Sequence, residues 1–239
     1  MTSLRVATWN IRKCVGLDRR RDPFRVARII SDLGADVVAL QEVDKRLGQR
    51  PAALTAEVVI AETGLQPVEA GGHETSLGWH GNAVLLAPEF HVTSRQSLHL
   101  PGLEPRGALV IDIAGKGRAM RVVAVHLGLM RRSRRAQLAM IRAELDRQGD
   151  LPTMIMGDFN EWSPTLGLEP LEDFQVHAPG RTFHASRPVA ALDRIALGHG
   201  VHLQNAAVIE NPMTRIASDH LPIIGDVRLE VTNAAQMPA

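Results

Sequence analysis

The sequence of 239 residues predicts a single α/β or α+β domain that contains mixed β-sheets. Short apolar runs of strand length outnumber the amphipathic helical segments, which lie between them. No stretch rich in glycine, serine or proline divides the chain, and neither an internal repeat nor a low-complexity segment is present. We therefore expect one domain over residues 1–239, in which residues 232–239 form a loose tail.

The elements in the first part of the chain follow from this pattern. Residues 4–8 are apolar and β-branched and predict a strand. Asp22 and Pro23 suit the N-cap and first position of a helix that Gly34 ends, and the apolar run 36–40 predicts a buried strand. By the same reasoning we expect helices at 52–63 and 132–147, and strands at 82–86, 91–98, 108–113, 120–125, 153–156, 192–197, 201–209 and 221–230.

The composition excludes several classes of protein. Hydrophobic residues make up 45% and charged residues 22%, which is typical of a folded globular chain. The net charge of +1 indicates no overall basic field for nucleic acid, and an aromatic content of 3% without tyrosine does not favour base stacking along a single strand. A single cysteine, Cys14, excludes an internal disulfide and a cysteine-based metal site.

The sequence also carries an expectation about the compartment. The N-terminus lacks the charged start and apolar core of a secretory signal, and no apolar run reaches the roughly 18 residues of a transmembrane helix. We expect a cytoplasmic protein in a reducing compartment, without stable insertion into a membrane.

Polar side chains lie where many of the predicted strands begin or end. Carboxylate and amide oxygens gathered at strand ends are the ligands that a hard cation such as Mg²⁺ prefers, and they leave room for a phosphate. Neither a thiolate cluster nor an HExxH pair indicates a hydrolytic zinc site. The polar residues in question are Asn10, Glu42, His126, Asp158, Asn160, Asp193, Asp219 and His220.

Several of these residues also have a structural interpretation. Asp158 and Asn160 are turn formers, and Glu42 could be a surface cap or an ion-pair partner. A lone histidine after an apolar strand, such as His126, is more often structural than catalytic.

The residues near His220 leave similar alternatives. Asp193 and Arg194 could form a local ion pair of little energetic value. Adjacent residues of one strand point apart, so His220 needs a partner other than Asp219, and Asp193 is the predicted one. If His220 is neutral and must become protonated to act, any activity of the site should respond to pH near neutrality.

The order of these residues resembles the endonuclease/exonuclease/phosphatase superfamily, which includes deoxyribonuclease I, and the chain looks similar to its compact bacterial members. The resemblance extends over about residues 4–227. It rests on six motifs: Thr8-Trp9-Asn10-Ile11, Leu40-Gln41-Glu42-Val43-Asp44, His126-Leu127, Gly157-Asp158-Phe159-Asn160, Leu192-Asp193-Arg194-Ile195 and Ser218-Asp219-His220-Leu221-Pro222.

The resemblance implies a four-layer α/β sandwich of the deoxyribonuclease I type, with two packed mixed β-sheets flanked by helices and the site at one edge. It implies a site for Mg²⁺, with Mn²⁺ as the alternative metal. Glu42 would be the principal metal ligand, Asn10 would lie beside it, and Asp219 would complete the site directly or through water.

The resemblance also implies catalytic roles. Asp158 would position or deprotonate the attacking water, and Asn160 would hold the phosphate. His220, held by Asp193, would contact the phosphate or act as an acid or base. His126 would stabilise charge on the non-bridging oxygens.

The substrate class is less well defined. The first expectation is a metal-dependent phosphodiesterase or phosphatase that acts on a small or lipid-derived phosphoester. The second is a nuclease on DNA or RNA, and the third is a non-catalytic scaffold. The sequence does not identify a protein partner. If the protein is a nuclease, two arginine clusters would contact the phosphate backbone. The alternative is that these arginines only form solvated helix faces. The first cluster contains Arg12, Lys13, Arg19, Arg20, Arg21, Arg25 and Arg28, and the second contains Arg131, Arg132, Arg134 and Arg135.

Overall fold

The computed structural model describes residues 3–45 and 48–230, so the tail predicted at 232–239 lies outside the described residues. The described strands are β1 (Ser3–Asn10), β2 (Val37–Gln41), β3 (Gln66–Pro67), β4 (Ala83–Leu86), β5 (Phe90–Leu100), β6 (Arg106–Gly115), β7 (Arg118–His126), β8 (Thr153–Asp158), β9 (Gln175–His177), β10 (Asp193–Leu197), β11 (Val201–Val208) and β12 (Ile223–Leu229). The described α-helices are α1 (Pro23–Leu33), α2 (Ala56–Thr63), α3 (Arg131–Leu145) and α4 (Thr214–Ala217).

The strands form two mixed sheets of six strands each, which confirms the predicted α/β sandwich. The strand order is β11-β12-β1-β2-β4-β3 in the first sheet and β5-β6-β7-β8-β10-β9 in the second. Each sheet has one parallel pair at its centre, β1 with β2 and β7 with β8, and its other pairs are antiparallel.

Side chains alternate along the central strands and so build four layers. Val6 of β1 and Val122 of β7 lie in the core between the two sheets. Ala7, the neighbour of Val6, packs in a second core with α1 and α2. Val123 packs in a third core with α3 on the opposite side of the molecule. The order of layers is therefore helices, sheet, sheet and helix.

The helix boundaries follow the local signals in α1 and depart from them in α2. Asp22 caps α1 by accepting a hydrogen bond from the backbone N–H of Arg25 at 2.9 Å, and Gly34 ends it with φ of 58°. The helix predicted to begin at residue 52 begins at Ala56 instead, because residues 52–54 are held by β-type backbone pairing with the segment after β2.

The two parallel pairs bring several strand ends to one edge of the sandwich. Asn10 at the end of β1 is the register partner of Gln41 at the end of β2. His126 at the end of β7 is the register partner of Asp158 at the end of β8. Because β10 runs antiparallel to β8, its first residue, Asp193, lies opposite Asp158. Among the helices of the described ranges, none has the length and apolarity needed to cross a membrane.

Candidate active site

Asp158 is the point at which the two sheets meet at this edge. It lies between His126 and Asp193 in its own sheet and is 1% exposed. Its Oδ2 accepts a hydrogen bond from Nδ2 of Asn10, on the other sheet, at 3.0 Å and lies 3.4 Å from Nε2 of His126. Its Oδ1 accepts the backbone N–H of Asn160 at 2.9 Å. One buried carboxylate thus contacts four of the predicted site residues or lies opposite them.

The imidazole of His220 lies between two carboxylates. Its Nδ1 is 2.8 Å from Oδ2 of Asp193, and its Nε2 is 3.7 Å from Oδ2 of Asp158. Asp193 Oδ2 also accepts the hydroxyl of Thr182 at 2.5 Å, which fixes the carboxylate. The indole N–H of Trp9 donates to the carbonyl of His220 at 2.8 Å and fixes the backbone. The structure therefore contains the predicted contact between His220 and Asp193.

The charges of these groups depend on one another. Burial lowers the pKa of His220, but the carboxylates of Asp193 and Asp158 outweigh burial and raise that pKa above its ordinary value. Burial raises the pKa of Asp158, and the positive charge of His220 opposes the rise. An imidazolium with a raised pKa stays charged through neutral pH. This arrangement does not support the expectation that a neutral His220 titrates near neutrality.

The predicted metal ligands face cations of the chain itself. Glu42 follows β2 with φ of 58°, a strained conformation, and its carboxylate forms an ion pair with the Lys13 ammonium. Oδ2 of Asp219 lies 3.3 Å from Nε of Arg12. Oδ1 of Asn10 accepts the backbone N–H of Arg12 at 3.1 Å and keeps a second lone pair. This oxygen-donor set fits Mg²⁺, because the carboxylates already stabilise positive charge there.

The structure groups possible ligand atoms differently from the sequence prediction. Within the described ranges, atoms of Asp158, Asp193 and His220 lie within 4.8 Å of one another and could hold a metal. However, His220 Nδ1 is already hydrogen-bonded to Asp193, so these three residues form a hydrogen-bonded chain. The oxygen donors Glu42 and Asp219 lie outside this group.

Asn160 is anchored in the turn after β8. Its φ of 51° is left-handed, and its Nδ2 donates to the carbonyl of Leu127 at 2.9 Å. This bond ties the loop after β8 to the loop after β7. One of the two side-chain N–H groups of Asn160, the predicted phosphate contact, therefore already donates to the backbone of the protein.

Glu161, which follows Asn160 in the loop after β8, is a buried charged residue that the sequence did not predict. It is 1% exposed, and it accepts hydrogen bonds from Arg131 at 2.9 Å and from Arg134 at 2.6 Å. A signal for this contact was available. Arginines follow β7 and an acidic residue follows β8, and the ends of two parallel neighbouring strands meet at one edge.

The arginine clusters are engaged by nearby carboxylates to a large extent. In the first cluster, Arg25 pairs with Asp18 at 2.7 Å, while Arg19, Arg20 and Arg21 are exposed. In the second cluster, Arg135 lies 3.4 Å from Glu169, and Arg132 is exposed. The alternative of a local pair between Asp193 and Arg194 is not observed, because the Arg194 guanidinium donates to the carbonyls of Glu161 and Ser163, both at 2.7 Å.

The layered fold and the site at its edge define the class of deoxyribonuclease I-like α/β sandwiches. Residues 7–220 match the sequence profile of the Endonuclease/Exonuclease/phosphatase family, and the chain belongs to this family. The "Uncharacterized protein YbhP" of Escherichia coli (strain K12) is 32% identical over 165 residues, which cover 64% of this chain and 64% of that relative. The chain thus matches less than two thirds of the length of this curated relative.

Solved structures share the architecture across the chain. The endonuclease/exonuclease/phosphatase from Bacteroides vulgatus has a TM-score of 0.77 at 18% identity, and covers 96% of this chain and 100% of its own. The mannosyl-6-phosphatase Bt3783 of Bacteroides thetaiotaomicron VPI-5482 has a TM-score of 0.75 at 16% identity, with 95% and 100% covered. At these identities the likeness shows the fold.

Proposed function

We propose that the protein is a divalent-metal-dependent phosphoester hydrolase that activates water for in-line attack on phosphorus. The observation that carries the proposal is the position of Asp158. A buried carboxylate that lies 3.0 Å from Asn10 Nδ2, 3.4 Å from a ring nitrogen of His126 and 3.7 Å from one of His220 has the surroundings of a general base. Family membership supports the reaction class, because members typically hydrolyse phosphoesters.

Each residue of the site would act through a group that is already oriented. Asp158 would accept the proton of the attacking water, since burial raises its pKa and so increases its basicity. His220, held by Asp193, would place positive charge against the phosphoryl oxygens, where negative charge develops. His126 would stabilise the same oxygens from the other side of Asp158, and Asn160 would contact the phosphate.

Glu42, Asn10 and Asp219 would hold the metal. A bound Mg²⁺ or Mn²⁺ would supply Lewis acidity that stabilises negative charge on the phosphate. Lys13 and Arg12 now pair with Glu42 and Asp219, so both cations would have to release the carboxylates to the metal.

A hydrolysis panel tests this proposal. The substrates are a generic phosphodiester, a phosphomonoester, plasmid DNA, RNA and phospholipid, each with Mg²⁺, with Mn²⁺ and with chelator. We expect hydrolysis of at least one substrate, lost with chelator and reduced by about 10²-fold to 10⁴-fold in Asp158→Asn. The control is Asp146→Asn, on the exposed end of α3, which should keep full activity.

Two outcomes would contradict the proposal. Hydrolysis that persists with chelator and in Asp158→Asn would show that neither the metal nor this carboxylate takes part. The absence of hydrolysis, together with no divalent-ion binding in calorimetry, would favour the non-catalytic scaffold.

A nuclease is the second candidate, and the exposure of Arg19, Arg20 and Arg21 on the segment that follows Asn10 favours it. Contacts between these arginines and phosphates would release counterions, so affinity for a DNA or RNA strand should fall steeply with salt. We expect a loss of about ten-fold or more between 50 and 200 mM salt if several arginines bind phosphates. A flat salt response would remove this candidate.

A further inference from the structure

Trp162 is an exposed aromatic residue beside the proposed active site. It lies in the loop after β8, and its side chain is 63% exposed. Its ring centroid is 6.4 Å from that of Phe183, with an interplanar angle of 79°. The Phe183 ring in turn lies 5.0 Å from the imidazole of His220. One aromatic ring thus separates the indole from a group proposed to act on phosphorus.

The backbone on both sides of Trp162 is fixed by buried charged groups. Arg194, which is 2% exposed, donates to the carbonyls of Glu161 and Ser163, both at 2.7 Å. The Glu161 carboxylate accepts the backbone N–H of Ser163 at 2.9 Å and also pairs with Arg134. These bonds fix the backbone directly before and after Trp162, and the Phe183 ring packs beside the indole.

The anchoring does not use the indole itself. The bonds that hold the loop come from the backbone and from the side chains of Glu161 and Arg194. A tryptophan that served the core would be largely buried, as Trp9 is at 0% exposed. The structure therefore presents a large aromatic surface to solvent next to Phe183, the ring that lies against the imidazole of His220.

We propose that the exposed face of Trp162 binds a planar ring carried by the phosphoester substrate, with Phe183 as the second wall of this subsite. The near-perpendicular rings form a corner, in which a flat group stacks on the indole and meets Phe183 at its side. The substrate class is a phosphate joined through a spacer to a heteroaromatic ring, as in a nucleotide. This inference rests on the proposed function for the position of the phosphate.

Calorimetric titration with two matched ligands tests the subsite. Adenosine 5′-monophosphate and ribose 5-phosphate carry the same phosphate and sugar, and only the first carries a planar ring. The titrations use the full chain with Asp158→Asn and Mg²⁺, so that the ligands are not consumed. We expect the nucleotide to bind about ten-fold more tightly, as a stacked base usually does. In Trp162→Ala the two affinities should become equal.

Two further variants separate stacking from damage to the fold. Trp162→Phe keeps an aromatic face and should retain most of the preference. Leu166→Ala changes another exposed residue of the same loop and should retain all of it. Equal affinities for the two ligands with Trp162 present, including no detectable binding of either, would overturn the inference. A preference that survives Trp162→Ala would also overturn it.

A tetranucleotide distinguishes the source of the ring. Binding no tighter than that of the mononucleotide would indicate a free nucleotide. Binding at least ten-fold tighter, and weakened by Trp162→Ala, would indicate a single strand. Both results support the subsite. Because these titrations measure ligand binding, a preference for the nucleotide, together with no hydrolysis in the panel and no divalent-ion binding, would refute the proposed function and leave the subsite standing.

Discussion

The buried carboxylate of Glu161 offers a direct test of how the loop after β8 is held. The substitution Glu161→Gln keeps the size of the side chain and one acceptor oxygen but removes the charge. Arg134, which is 4% exposed and 2.6 Å from Glu161, would then be buried without its carboxylate. Breaking a buried ion pair from one side costs about 3–5 kcal/mol. We expect a loss of unfolding free energy of this size at pH 7.

The pKa of Glu161 gives a second way to calculate how much its charge contributes to the unfolding free energy. Burial alone would raise this pKa, but hydrogen bonds from Arg131, Ser163 and Arg134 outweigh burial and lower it to about 2. The unfolded value is about 4.3, so the charged form contributes about 3 kcal/mol of stability above that pH. Because the folded pKa is the lower one, this contribution is lost as pH falls from about 4.3 towards 2.

Urea unfolding of both proteins at pH 7 and pH 3 measures the effect. The difference in unfolding free energy should shrink by about 1.5 kcal/mol on acidification, since at pH 3 the carboxyl of Glu161 is protonated in the unfolded chain but is still mostly charged in the folded protein. Glu169→Gln is the control, because Glu169 is half-exposed, its ion pair with Arg135 is exposed, and Gln keeps an acceptor for the Gly167 N–H, so it should change stability little. A difference below about 1 kcal/mol at pH 7, or one that does not vary with pH, would refute the reasoning.

Two further predictions concern single contacts of the site and the sheet. Asp193→Asn should lower kcat by about 10²-fold to 10⁴-fold without unfolding the protein, because His220 loses the carboxylate charge that orients its ring. Unchanged kinetics would remove Asp193 from the mechanism. Gly157→Ala should destabilise the protein by about 2–4 kcal/mol in thermal unfolding, since the backbone has φ of 151° and the added Cβ would lie 1.9 Å from the Val125 carbonyl oxygen. An unchanged Tm would show that the parallel β7–β8 pair relaxes easily.

The parts of the fold that the sequence predicts well are those with local signals. Asp22, Pro23 and Gly34 mark both ends of α1 without reference to the rest of the chain. The short strands Gln66–Pro67 and Gln175–His177 were not predicted, because two or three residues carry no periodicity and their pairing alone defines them.

In the candidate site, too, the features with local sequence signals could be predicted, and those that depend on distant segments could not. Each polar residue could be located at a strand end from the alternation of apolar and polar residues, and the need of His220 for a separate partner followed from strand geometry. The contact between Asn10 and Asp158 could not be derived in this way, since it joins two different sheets. For the second arginine cluster the sequence left open either phosphate contacts or a solvated helix face, and the count of arginines could not reveal that Arg131 and Arg134 both pair with the buried carboxylate of Glu161.

The buried cluster of Glu161, Arg134 and Arg194 is better explained by positioning than by stability. Burying charges is costly, and apolar residues of similar volume often give equal or greater stability. Apolar residues, however, cannot hold the carbonyls on either side of Trp162 or the N–H of Ser163. The same loop begins at Asp158, which is fixed by bonds from the two sheets. Sheet contacts at one end and buried charge at the other therefore fix the backbone that joins the proposed base to Trp162, which suits a substrate that carries both a phosphate and a ring.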